Sequence, residues 1–191
     1  MRLNEEPGED AQAEPLAGSL LLAHPVLTDG NFRRTVVLLT AHSADTGAIG
    51  VVLNRPMDTT LGEYQEGIDS TGLADVPLYD GGPVARDRLI LVAWKWSSEE
   101  ARIKHYFGID ADKARSLAAE DPEFELRGFF GHSGWSEGQL EGEIRQGAWV
   151  VSPLVPEIEQ YEREAVWRAV LGRQSAEMRL MAGEPDDPSV N

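Results

Sequence analysis

The sequence predicts a mixed α/β (α+β) protein: an irregular, mixed or largely antiparallel sheet with helices packed against it. Three observations lead there. Apolar, β-branched runs at Ser19–Ala23, Thr35–Ala41 and Gly47–Asn54 lie too close in sequence for parallel crossovers, which take a dozen residues or more. Helix-start signals (Thr60-x-x-Glu63, Asp110, Ser136-x-x-Gln139) alternate with further strand patterns. The 191 residues suit one domain with a real core. Residues 1–15 read as a disordered acidic lead-in, 16–182 as the domain and 183–191 as an acidic tail. The pieces from about Ile109 onward leave room for a second, smaller lobe.

Each element follows from its residues. Ser19–Ala23 ends on His24-Pro25, and Leu27–Asn31 is turn-rich. Thr35–Ala41, continuous in Val and Leu, reads as a central strand. In Gly47-Ala-Ile-Gly-Val-Val-Leu-Asn-Arg-Pro56 the apolar residues form a strand buried on both faces, which Pro56 ends. Thr60–Glu63 opens a short helix, and Glu66–Asp75 is loop. Pro77–Asp80 is a short strand running into Gly81-Gly82-Pro83. Arg88–Trp96 is a strand apolar on both faces, where Trp94 and Trp96 share one face and are read as half-buried; an exposed Trp96 beside Lys95 would instead suggest a partner surface. Ser97–His105 is ambiguous from its residues: Ser97-x-x-Glu100 suits a helix start, and the segment suits a loop as well. Asp110 caps a helix through Ala119, with Ala111, Ala114, Leu117 and Ala118 inward. Glu123–Phe130 alternates as a half-buried strand. Gly131-His-Ser-Gly-Trp135 is read as a tight turn into a helix carrying Leu140 and Ile144, and Ala148–Ser152 is a strand. Glu157–Leu171 is read as one helix with Ile158, Tyr161, Ala165, Val166, Ala169 and Val170 as its stripe, followed by a turn of helix around Glu177–Met181.

Composition narrows the function. The chain has 17 basic and 33 acidic residues, a net charge of −16, which opposes approach to phosphate backbones and anionic membranes. Basic clusters are small: Arg33-Arg34, Arg86 with Arg88, and Lys95 with Arg102, Lys104 and His105. There are no cysteines, so disulfides, thiol catalysis and thiolate metal sites are excluded. The opening residues are acidic rather than a basic segment and an apolar run, and no apolar stretch approaches the roughly 20 residues that span a bilayer. A cytoplasmic protein is expected.

Candidate chemistry gathers where a cation meets backbone donors. Arg55 sits at the mouth of a core strand, where open sheets bind ligands; it serves either an anion or a structural ion pair. Asn54 beside it caps or turns the chain. Gly81 and Gly82 offer backbone N–H groups, as does the expected helix start at Gly134, Ser136 and Gln139. Together these could frame an anion or nucleotide pocket. His24 and His42, at strand ends, are the lower-ranked candidates for a general base, and Glu141 would hold Arg55 or stabilise the first helical turn. His132-Ser133-Gly134 invites a hydrolase reading, but the nucleophile elbow needs glycine where Trp135 stands. No histidine pair has i, i+4 spacing, and neither metal nor cofactor is expected.

The Gly47–Pro56 stretch also resembles the signature of the YqgE/AlgH family of small bacterial proteins. Gly18-Ser-Leu-Leu-Leu-Ala-His-Pro25, Phe32–Leu39, Tyr79-Asp-Gly-Gly-Pro-Val84 and Gly131–Ile144 follow in the family's order, so the resemblance spans about Gly18 to Gly172. For Ser97–His105 the resemblance implies a loop and then a short strand toward Ile109. The resemblance implies a non-enzymatic regulatory or binding protein acting through a protein partner or a small anionic ligand, as monomer or dimer. The family is labelled as transcriptional regulators, yet no helix-turn-helix is recognisable and the charge opposes direct DNA docking. The rival reading is an enzyme or binder for a phosphorylated or carboxylated metabolite.

Overall fold

A computed structural model describes residues 16–43, 45–65, 72–97 and 102–184. The antiparallel pairing expected from the three early runs is present: β1 (Leu20–Ala23), β2 (Val36–Ser43) and β3 (Gly47–Val52) form a meander with β2 in the middle. Further strands are β4 (Pro56–Thr60), β5 (Pro77–Asp80), β6 (Val84–Ser97), β7 (Arg102–Ile109), β8 (Glu125–Trp135) and β9 (Trp149–Ser152). All nine belong to one sheet in the order β4-β5-β8-β3-β2-β1-β9, with β6 paired to β7 and β8. The fold is mixed α+β, and one pair, β5 with β8, is parallel. Beyond Ile109 the chain returns to the same sheet, with β8 beside β3 and β9 beside β1.

Among the described residues six helices pack on this sheet: α1 (Leu61–Tyr64), α2 (Ala111–Glu120), α3 (Gln139–Arg145), α4 (Glu157–Gln160), α5 (Glu164–Leu171) and α6 (Ala176–Gly183). The Thr60–Glu63 capping box and the Asp110 cap on Lys113 N–H form as their spacing requires. Alternation along β3 sends Val51 and Leu53 into a core beneath α4–α6, with Trp94, Phe129 and Trp167. Ala48 and Val52 go to a second core beneath α3, with Trp135 and Trp149. A third cluster, with Leu61, Leu78, Leu91 and Ala114, lies beneath α2.

Four expectations change. Pro56 begins a strand instead of only ending one: at the first residue of β4 its missing N–H costs no ladder bond. Gly131–Trp135 is strand rather than turn, since β8 runs through it from β6 to a second partnership with β3. Gly131 supplies the φ of +72° at the handover, and a Cβ there would stand 2.4 Å from the Gly82 carbonyl oxygen. The Ser136 box fails as a cap: α3 begins at Gln139 on a left-handed Gly138, while Gln139 Oε1 accepts from Ser136 N–H and Oγ. Finally, 157–171 is two helices broken at Tyr161–Arg163, so Tyr161 turns outward and Trp167 and Leu171 enter the core in its place. The N-terminal lead-in, most of the acidic tail, residues 66–71 of the expected loop, residues 98–101 of the Ser97 segment and the Trp96 side chain lie outside the described residues.

Candidate functional site

Where β3 ends, the chain passes two adjacent polar residues that face opposite ways. Asn54 is buried; its Oδ1 accepts from Val36 N–H at 2.9 Å, and its Nδ2 donates to the Arg34 and Arg163 carbonyls at 2.9 and 3.1 Å. Every contact ties the β2 entrance and the α4–α5 break to β3, so Asn54 is a bracket and not a ligand group. Arg55 is half-exposed. Its Nη2 donates to the Gly30 carbonyl at 3.2 Å, and it makes no ion pair among the described residues. The Gly30 carbonyl is placed by a turn in which Asp29 Oδ1 accepts from Asn31 N–H and the Asp29 carbonyl from Arg33 N–H.

Around Arg55 lies a cleft in two adjoining parts of about 530 and 210 Å³, lined by Arg33, Arg34, Arg55, Arg86 and Arg163 with Asp80 and Glu164 as its acids. Arg34 pairs with Glu164 at 2.8 Å, Arg86 with Asp80 at 2.8 Å, and Arg163 grips both oxygens of Asp58 at 2.5 and 2.6 Å. Backbone strain concentrates here. Arg34, Asp58, Ala85 and Arg163 are the described non-glycine residues with positive φ, and each lines the cleft, pairs with a residue that does, or adjoins one. Such conformations persist only where surrounding contacts over-determine them, and they cluster at binding sites. Arg163, at φ 53° and ψ −132°, is held there by the Asn54 bond and the Asp58 pair.

The Gly81-Gly82-Pro83 segment does not offer the free donors its sequence suggests. Gly81 N–H donates to the Phe130 carbonyl, Gly82 N–H to Asp80 Oδ1, and Pro83 has none. Its glycines serve close packing: a Cβ on Gly81 would lie 2.4 Å from the Gly131 oxygen, and one on Gly82 2.5 Å from the His132 backbone. Gly82 still lines the cleft with Arg55.

The remaining candidates lie elsewhere. Gly134 borders a separate shallow groove with His42 and Ile49. Ser136 and Gln139 bond to each other, and Gln139 Nε2 donates to Glu143, whose other oxygen accepts from Trp135 and Trp149. That arrangement anchors tryptophans, and a seven-residue helix on an uncapped glycine makes no anion site. His24 and His42 are not adjacent, because β1 and β2 run antiparallel and place them at opposite ends. His24 Nδ1 accepts from Val26 N–H. His42 Nδ1 accepts from Leu16 N–H, so Nε2 carries the proton and donates to Glu141 Oε1 at 2.8 Å. Glu141 therefore holds His42 rather than Arg55. The Glu141 carboxyl sits below its ordinary range, through its own backbone N–H and then through His42, against some burial. Ser133 Oγ is buried with no partner among the described residues. No group of three or more His, Asp or Glu among the described residues could hold a metal ion.

Of the sequence candidates, the structure thus gathers Asn54, Arg55 and Gly82 at one cleft, Asn54 with its side chain committed to the backbone. It adds Asp80 and Arg163, which carried no sequence signal, and Arg33, Arg34 and Arg86, visible only as small basic clusters.

Fold and cleft together define a small mixed α+β protein built on one nine-stranded sheet with an arginine-lined cleft at the end of its central strands. The AlgH-like family model matches residues 20–179, and the chain belongs to that family. A UPF0301 protein of Streptomyces coelicolor is 39% identical over 192 residues, covering 94% of this chain and 97% of the relative. A UPF0301 protein of Thermobifida fusca is 35% identical, covering 92% and 96%. Among solved structures, a Corynebacterium diphtheriae protein superposes with a TM-score of 0.67 at 26% identity over 91% of this chain and 94% of its own. The AlgH protein of Pseudomonas aeruginosa gives 0.64 at 25% identity over 94% and 100%.

Proposed function

We propose that this is a non-enzymatic binding or regulatory protein that takes a small phosphorylated or carboxylated anion in the Arg55 cleft. The observation that carries this reading is the Arg55 guanidinium itself. In a chain with 33 acidic and 17 basic residues, it stands at the cleft with one weak carbonyl contact and no ion pair among the described residues. A planar guanidinium left in that state suits a bidentate phosphate or carboxylate. The neighbouring Arg86 already has a carboxylate partner, which positions it beside the incoming anion. The enzymatic alternative has the weaker support: His24 and His42 do not line this cleft, both Asp80 oxygens are engaged, and Glu164 is paired with Arg34 and Arg168.

The test is calorimetric titration with phosphate, pyrophosphate and a set of small carboxylates at low salt. At least one is expected to bind the native protein, and Arg55→Ala to weaken that binding tenfold or more, about 1.4 kcal/mol. Absence of binding across the panel overturns the reading. The transcriptional label of the family is tested separately. A gel-shift series with duplex DNA at low salt is expected to show no complex, because a protein of charge −16 must overcome repulsion from the phosphates.

A further inference from the structure

The cationic cleft continues past Asp80 and Arg86 into a third part of about 300 Å³, lined by Met57, Tyr64 and Phe130 in addition to those two. This part differs in chemistry. Tyr64 is 59% exposed and Met57 42% exposed, whereas Phe130 is nearly covered; the Tyr64 and Phe130 rings lie 4.7 Å apart at 58°. Tyr64 leans on Phe130 with one side of its ring and, with Met57 beside it, leaves the remaining apolar surface open to the cleft. Both are held in place. Tyr64 closes α1, whose capping box fixes its first turn, and Met57 precedes Asp58, locked at φ 57° by its pair with Arg163. The Asp80–Arg86 pair is the wall shared by the cationic and aromatic parts, so one ligand can touch both.

We propose that the cleft takes a nucleoside phosphate: the phosphate on Arg55 and Arg86, the base stacked on Tyr64 against Met57 and Phe130. This rests on the anion-binding reading above and adds the aromatic body. A bare anion would leave the Tyr64 surface unused. A flat heteroaromatic ring covers it, and ring stacking of this kind tolerates any base, so no preference among bases is assigned. Together the adjoining parts fall in the size range of small-ligand sites, a few hundred Å³.

The experiment is calorimetry at low salt with four probes: inorganic phosphate, ribose 5-phosphate, adenosine and adenosine monophosphate. Adenosine monophosphate is expected to bind about tenfold tighter than ribose 5-phosphate, the contribution of one stacked base. Tyr64→Ala should abolish that advantage while leaving ribose 5-phosphate affinity unchanged, and Tyr64→Phe should restore it. Tyr64→Phe keeps the ring contact with Phe130 and should match the wild-type unfolding temperature, whereas Tyr64→Ala gives it up and should unfold only a few degrees lower. Equal binding of the two phosphates overturns the aromatic subsite but leaves the anion reading standing. An advantage that persists in Tyr64→Ala also overturns it, by locating the base elsewhere. Adenosine binding as tightly as the monophosphate, unaffected by Arg55→Ala, overturns the anion reading, and binding by none of the four overturns both.

Discussion

Asn54 commits its side chain to three backbone partners inside the protein, while Arg55, one residue on, commits almost nothing, and substitutions should separate the two cleanly. Asn54→Ala leaves the Val36 N–H and the Arg34 and Arg163 carbonyls without their partner. Unpaired buried groups cost on the order of 1–3 kcal/mol each, partly relieved by water, so a loss of about 3 kcal/mol in urea unfolding is expected. Arg55→Ala removes one 3.2 Å contact at the surface, so its unfolding midpoint should stay within error of wild type while anion affinity falls. A large stability loss in Arg55→Ala would show the guanidinium to be scaffold. Glu141 gives a pH signature. Its folded-state pKa lies below the ordinary value near 4.5, so its contribution is present above that pH and is lost as pH falls through the lowered value. Glu141→Gln removes this dependence, and its acid-induced loss of stability should be shallower than that of the wild type below about pH 4.5.

At the scale of elements, β8 does the joining: its first half pairs with β5 and β6, its last residues with β3, and the handover occurs where Gly81, Gly82 and Gly131 let backbones touch. Gly82→Ala would put a Cβ 2.5 Å from the His132 backbone at φ +142°, both a clash and a forbidden conformation. It is expected to destabilise by several kcal/mol, with circular dichroism showing loss of cooperative unfolding; an unchanged midpoint would mean the segment yields easily. Much of this level was legible from residue pattern. β1–β3 and their antiparallel pairing follow from short connections, α1 and α2 from their caps, and the two-faced burial of β3 from its continuous apolar run. What was hidden depends on contacts distant in sequence. The break at Tyr161–Arg163 is imposed by Asn54 and Asp58, about a hundred residues away, while Ile158 and Val166 keep a spacing that fits one helix. Likewise Gly81 and Gly82 look like exposed donors until β8 takes one N–H and Asp80 the other. Of the site, Arg55 was readable from its place after a core strand; Asp80, Tyr64 and Arg163 join it through tertiary structure alone.

For the molecule as a whole, the charge of −16 and the cleft pull in opposite directions. Five of the 17 basic residues line one cleft against two carboxylates, so the acidic excess belongs to the rest of the chain. Excess like charge destabilises a compact state through self-repulsion, and salt screens it over a Debye length of about 10 Å at 0.1 M. Raising sodium chloride from about 10 to about 150 mM should therefore raise the unfolding temperature. The same salt screens the attraction between the arginines and an anion and competes for the site, so affinity for phosphate or adenosine monophosphate should fall over that range. Opposite signs of the two effects are the informative result, because a general stabilisation by salt would move stability and ligand affinity together. Neutralising Arg55 should leave the salt dependence of unfolding intact and flatten that of binding, which assigns the first to the whole surface and the second to the cleft. If anion affinity instead rises with salt alongside the unfolding temperature, the cleft is not an electrostatic site, and its arginines serve to fasten α5 and β5 to the sheet.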